Sequence, residues 1–101
     1  MSINTTLNSG EKQITISVSG RFDFSQHQDF RAAFDPVPEE IKKFVIDLRT
    51  TEYIDSSALG MLLILRDKVE SRTGTIEITN ANSSVKNILE IAKFNTLFSV
   101  T

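Results

Sequence analysis

Over the first twenty residues, apolar and polar positions alternate with a period of two. Ile3 to Leu7 carries the alternation weakly, and Gln13 to Ser19 carries it clearly, with Ile14, Ile16 and Val18 on one face. That period puts the three side chains on one side of an extended chain, the pattern of a strand buried on one face. Asn8-Ser9-Gly10-Glu11 supplies turn residues between the two runs, so the segment is predicted as a hairpin, closed at its far end by Gly20.

The period then lengthens. Phe30, Ala33 and Phe34 share a helical stripe behind Ser25, the predicted N-cap. Pro36 and Pro38 stop that helix, because neither has a backbone N–H to donate. Phe44-Val45-Ile46-Asp47-Leu48 is a short apolar run with β-branched residues, predicted as a strand buried on both faces. At about 100° per residue, Ala58, Leu62, Leu65 and Val69 fall on one stripe with Met61 beside it, which predicts a helix from about Ser57 to Ser71. Gly74 precedes a strand from Thr75 to Thr79. Asn82-Ser83-Ser84 opens a further helix with Val85, Ile88, Leu89 and Ala92 inward, and Leu97 to Val100 is the place for a last short strand. Strands alternating with helices imply crossovers, so the expected fold is α/β: one domain over residues 1–101, a mixed sheet of four to five strands packed with three or more helices.

Composition narrows the function. The chain has 101 residues, of which 40% are apolar and 24% charged, as in a globular domain with one core. A net charge of −2 argues against direct nucleic-acid binding. With no cysteine, disulfides, thiolate metal sites and thiol catalysis are excluded. The run Met61 to Leu65 is far shorter than the roughly 20 residues of a membrane span, so no membrane insertion is expected. Met1 to Thr6 has neither a basic start nor an apolar run; no export signal is expected, and the expected location is the cytoplasm. The acidic residues lack a calcium-loop spacing and no glycine loop cradles phosphates, so no metal or cofactor is expected. Glu39-Glu40 and Lys42-Lys43 are expected as solvated flanks of a strand, Phe30, Phe34 and Phe44 as core, and Phe94, Leu97 and Phe98 as packing for the C-terminal end.

Candidate chemistry concentrates in Asp55-Ser56-Ser57-Ala58-Leu59-Gly60. Ser56 falls opposite the apolar stripe, in a column with Gly60, Leu63 and Asp67, and Ile64 lies next to that column. Two readings stand side by side. Asp-Ser-Ser before an apolar run is an ordinary helix cap. The same residues also present a hydroxyl at a helix N-terminus, where a phosphate is tolerated, beside an apolar patch suited to docking. A nucleophilic Ser56 would need a base; the only histidine is His27, which nothing places nearby, and the G-x-S-x-G elbow is absent. No enzymatic activity is expected.

Gly20-Arg21-Phe22-Asp23, Val45-Ile46-Asp47-Leu48 and Tyr53-Ile54-Asp55-Ser56-Ser57-Ala58-Leu59-Gly60 together resemble the STAS-domain anti-sigma-factor antagonists, over essentially the whole chain. Family members often carry glycine where this chain has Ala58; alanine keeps that position small. The resemblance implies partner switching. The unmodified antagonist binds an anti-sigma factor, usually an ATP-dependent serine kinase, and is released when the kinase phosphorylates the serine after the aspartate. That serine maps to Ser56, with Ser57 as second choice, and a metal-dependent serine/threonine phosphatase reverses the step. Asp23 and Asp55 would flank the acceptor, and Ser57, Gly60, Leu63 and Ile64 would complete the docking surface. The resemblance also admits a non-switching role, as a STAS subunit bracing the ATPase of a lipid transporter.

Overall fold

Gln13 to Val18 takes the one-sided strand geometry that its alternation dictates, and pairs antiparallel with the residues before it. In the computed structural model, which describes residues 3–100, the elements run β1 (Ile3–Asn8), β2 (Gln13–Val18), β3 (Gly20–Phe22), α1 (His27–Phe34), β4 (Lys43–Asp47), β5 (Thr51–Ile54), α2 (Ser56–Ser71), β6 (Thr75–Thr79), α3 (Ser83–Ile91) and β7 (Ser99–Val100). Residues 1, 2 and 101, the ends of the expected domain span, lie outside the described residues. The result is a single small α/β domain.

Five strands form one mixed sheet in the order β1-β2-β4-β6-β7. Only the β1–β2 pair is antiparallel, with Ile3 opposite Val18; β2, β4, β6 and β7 run parallel. From β2 each crossover steps to the next strand in the same direction across the sheet. Right-handed connections therefore place α1, α2 and α3 on one and the same face. The register agrees. Ile14 stands beside Phe44, Ile16 beside Ile46 and Ile46 beside Ile78, all buried, whereas Thr15, Val45 and Glu77 share the other face and are half-buried. The expectation that β4 is buried on both faces is thus corrected. Its apolar run belongs to a sheet covered on one side only, and Val45 and Asp47 line the open side.

A second difference lies at Gly20. It does not close the hairpin but opens β3, which pairs parallel with β5 in a separate two-stranded sheet. Gly20 takes a positive φ of 76°, and its N–H donates to the Thr50 carbonyl at 2.9 Å. The Thr51 hydroxyl, buried, donates to the Val18 carbonyl and ties the small sheet to the large one. Strands of three and four residues are too short to show a period, so the sequence pattern passed over both.

The helical face covers a single core. Phe22, Phe30 and Phe34 form a chain of ring contacts with centroids 5.0 and 5.6 Å apart. Ala58, Met61, Leu62, Leu65 and Val69, the expected stripe of α2, are all buried against this cluster. In α3, Val85 and Leu89 are buried while Ile88 and Ala92 pack at its margin. Phe94 and Phe98 stack at 5.2 Å and close the C-terminal end; Leu97, expected with them, is exposed. At the foot of α2, Arg72 is buried and donates to the carbonyls of Val37, Pro38 and Ile41. Gly74 follows because a Cβ there would stand 2.6 Å from the Lys42 carbonyl oxygen.

Candidate functional site

The parallel pairing of β3 with β5 brings two aspartates together. Phe22 lies level with Ile54, so the next residues along each strand, Asp23 and Asp55, leave the small sheet side by side at its C-terminal edge. The Asp55 N–H donates to the Phe22 carbonyl at 3.3 Å, closing that edge. Each aspartate then caps a helical turn. Asp23 accepts from the Ser25 N–H and starts a 3-10 turn over Phe24–Gln26. Asp55 accepts from the Ala58 N–H at 2.9 Å and starts α2. Ser25 is therefore not the N-cap expected of it. The short turn led by Asp23 intervenes, and α1 begins after Gln26 with no side-chain cap of its own.

Asp23 is held in its charged form. The Ser25 hydroxyl and the Ser25 N–H both donate to its carboxylate, and Arg21 lies 3.6 Å away, so its pKa falls below the ordinary carboxylate value. Arg21 also lies over the Tyr53 ring at 5.0 Å from the centroid, across the small sheet.

Because Asp55 is the cap, Ser56 becomes the first residue of α2. It is exposed, and its hydroxyl is not needed to cap the helix. Ser57 is half-buried, and the capping role open to it falls to Asp55. On the same helix Gly60 is half-buried, while Leu63 and Ile64 are 38% and 41% exposed, large side chains left facing solvent by a fold that buries their neighbours Leu62 and Leu65. The structure thus brings Asp23, Asp55 and Ser56 to one end of the domain and runs Gly60, Leu63 and Ile64 away from them along the outer side of α2.

One neighbour of this end escaped the sequence reading. Phe24 is 71% exposed and stacks on His27 with centroids 5.7 Å apart, beside a shallow depression lined by Ser25, Gln28 and Asp29. Its position directly after Asp23 was visible in the sequence; its exposure depends on the 3-10 turn, which leaves no pattern. His27, half-buried under Phe24, makes no hydrogen bond to Ser56 among the described residues. Among those residues no cluster of His, Asp or Glu is arranged to hold a metal, and no helix is long and apolar enough to cross a membrane.

Comparison with known proteins places this geometry in context. The family model described as "Mlab, STAS domain" matches residues 5–99. A STAS-domain containing protein of Pseudomonas aeruginosa is 42% identical over the full length of both chains. The anti-sigma-B factor antagonist of Bacillus subtilis is 21% identical over all of this chain and 93% of its own. Among solved structures, the anti-sigma factor antagonist SpoIIAA in its unphosphorylated form superimposes with a TM-score of 0.78, covering 98% of this chain and 86% of that one at 14% identity. SpoIIAA in its phosphorylated form, a Bacillus cell fate determinant, matches at 0.72 over 98% and 90% with 13% identity. At that identity the two structures speak for the fold.

Proposed function

The chain belongs to the STAS domain family, and from that premise we propose that it is an anti-sigma-factor antagonist switched by phosphorylation of Ser56, acting in the cytoplasm as one domain over residues 1–101. The observation that carries the proposal is the exposed Ser56 hydroxyl at the first position of α2, left free by the Asp55 cap and flanked along the helix by exposed Leu63 and Ile64. The anti-sigma-B factor antagonist among its relatives supports the choice of partner. The existence of SpoIIAA in both phosphorylation states shows that this fold accommodates the modification in that protein.

In this reading the unmodified face of α2 docks on an anti-sigma factor that is itself an ATP-dependent serine kinase. Asp23 and Asp55 flank the acceptor, and Ser57 completes the contact beside it. Phosphorylation adds roughly −1.5 to −2 charges. At the helix N-terminus that charge meets the unpaired N–H groups and the dipole, so the domain itself stays folded. At the interface the same charge must be desolvated against an apolar surface already next to Asp55, and the partner lets go. A metal-dependent serine/threonine phosphatase restores the hydroxyl. The domain performs no catalysis; it is substrate and ligand.

The test is a pull-down with wild-type protein and Ser56→Ala, with mass spectrometry of the retained chains and of the phosphosite. Ser56→Ala should retain an anti-sigma factor and take up no phosphate, and Ser56→Asp should retain less of it. An aspartate variant that binds as tightly as wild type, with phosphate found elsewhere, would sink the proposal. Stable capture of a transporter ATPase with no labelling of Ser56 would assign the scaffold role instead.

A further inference from the structure

Arg21 carries a charge for which the fold has little use. It is the only cation on β3 or β5, and its side chain is largely exposed. Its ion pair with Asp23 is long, 3.6 Å from Nε to Oδ2, and a contact so open to water contributes little to stability. Asp23 does not depend on it either. The Ser25 hydroxyl and N–H lower the Asp23 pKa more than Arg21 does.

Two contacts fix where the Arg21 guanidinium stands. One is to Asp23, ahead of it on its own strand. The other is to the Tyr53 ring, opposite it on β5, at 5.0 Å from the centroid. The group therefore bridges the two strands and leans toward the edge where α2 begins. Parity keeps these groups on one side. Phe22 and Ile54 turn into the core, so Arg21, Asp23 and Tyr53 lie on the outer face of the small sheet. Ser56 is exposed at the same edge, directly after Asp55, and the path from Tyr53 to Asp55 rises about 7 Å. An arginine, with three methylenes before its guanidinium, spans such a distance, and a phosphoryl group on the Ser56 hydroxyl shortens it.

A phosphate on Ser56 changes the balance at this edge. It enters beside two carboxylates, Asp23 and Asp55, each already committed to a cap, with Glu52 exposed on β5. Of the side chains on β3 and β5, Arg21 alone offers the opposite charge, and its planar fork matches phosphate oxygens two at a time. We infer that Arg21 is the intramolecular ligand of phospho-Ser56. On modification its guanidinium leaves Asp23 and takes two phosphate oxygens, while Asp23 keeps its Ser25 donors. The pair favours the dianion over the monoanion, so the modified edge presents its full charge to the partner.

The inference rests on the proposed phosphorylation of Ser56, and its test does without the kinase. Phosphoserine is installed at position 56 during translation, in wild type, Arg21→Gln and Arg21→Lys, and the phosphate is titrated by phosphorus NMR. Arg21→Gln should raise the proton affinity of the phosphate about threefold, with Arg21→Lys between the two. Salt at about 1 M should erase the difference. The Arg21 Nε–H resonance should move on modification and follow the same titration. Urea unfolding separates this from a structural role. Arg21→Gln should unfold as wild type does when Ser56 is unmodified, and more easily than wild type only when both carry the phosphate. If the wild-type and Arg21→Gln phosphates titrate together, or the Nε–H resonance stays still, Arg21 does not hold the phosphate, even with Ser56 labelled in the pull-down. If the pull-down finds the phosphate on another residue, the functional reading fails and this contact falls with it.

Discussion

Asp55 and Ser56 are adjacent but differ in what ties them to the fold. Asp55 spends its carboxylate on the Ala58 N–H, one of the N-terminal donors of α2 that have no partner within the helix. Ser56 is thereby left without a structural duty. Replacing Asp55 with alanine should cost about 1 kcal/mol in urea unfolding, while Asp55→Asn, which caps as well, should stay within a few tenths of wild type. The asparagine variant is then a clean probe of charge. If Asp55 also positions the kinase, Asp55→Asn keeps its stability and loses phosphorylation of Ser56. The cap was legible in the sequence, since Asp-Ser-Ser before an apolar stripe allows little else. Which of the three residues does the capping was not, because that depends on where the strand before it stops.

At the scale of elements, α2 is the part the sequence described best, because sixteen residues give its periodicity room to show. Ala58, Met61, Leu62, Leu65 and Val69 face the core as the 3.6-residue period requires. Adjacent residues on the helix should therefore differ sharply. Leu62→Ala should cost about 2–5 kcal/mol, because it opens a cavity in a fully buried site. Leu63→Ala should cost no more than about 1 kcal/mol, because its side chain is 38% exposed and its loss opens no enclosed cavity. Thermal and urea unfolding of the two variants check the pair, and similar losses would mean that Leu63 is covered by the domain itself. The short elements behaved differently. β3, β5 and the 3-10 turns over Phe24–Gln26 and Phe94–Thr96 span three or four residues each, and Phe24 owes its exposure to the first of these turns.

The whole molecule is bound together at the foot of α2 by one buried cation. Arg72 has no carboxylate partner among the described residues; its guanidinium donates to the carbonyls of Val37, Pro38 and Ile41 and lies 5.4 Å over the Phe44 ring. These bonds dock the connection between α1 and β4 onto the end of α2. Arg72→Met keeps the bulk but strands buried carbonyls, and should destabilise the fold by about 3 kcal/mol. Arg72→Lys should recover little of that, because an ammonium cannot span several acceptors as the planar fork does. Chemical denaturation of both variants decides the matter, and a lysine variant as stable as wild type would show that charge alone suffices. Nothing in the sequence singled out Arg72, since its acceptors are backbone atoms more than thirty residues away.

By itself the sequence determined the alternation of strands and helices, the inward face of α2 and the presence of an Asp-Ser-Ser cap before it, because these are set by local periodicity and by capping chemistry within a few residues. Only the tertiary structure decided that the sheet is covered on one face, that Asp23 stands beside Asp55, and that Leu63 and Ile64 remain uncovered. Each of these depends on which strands pair and which way the crossovers step. Pairing is a contact between distant segments, and no window along the chain contains both partners.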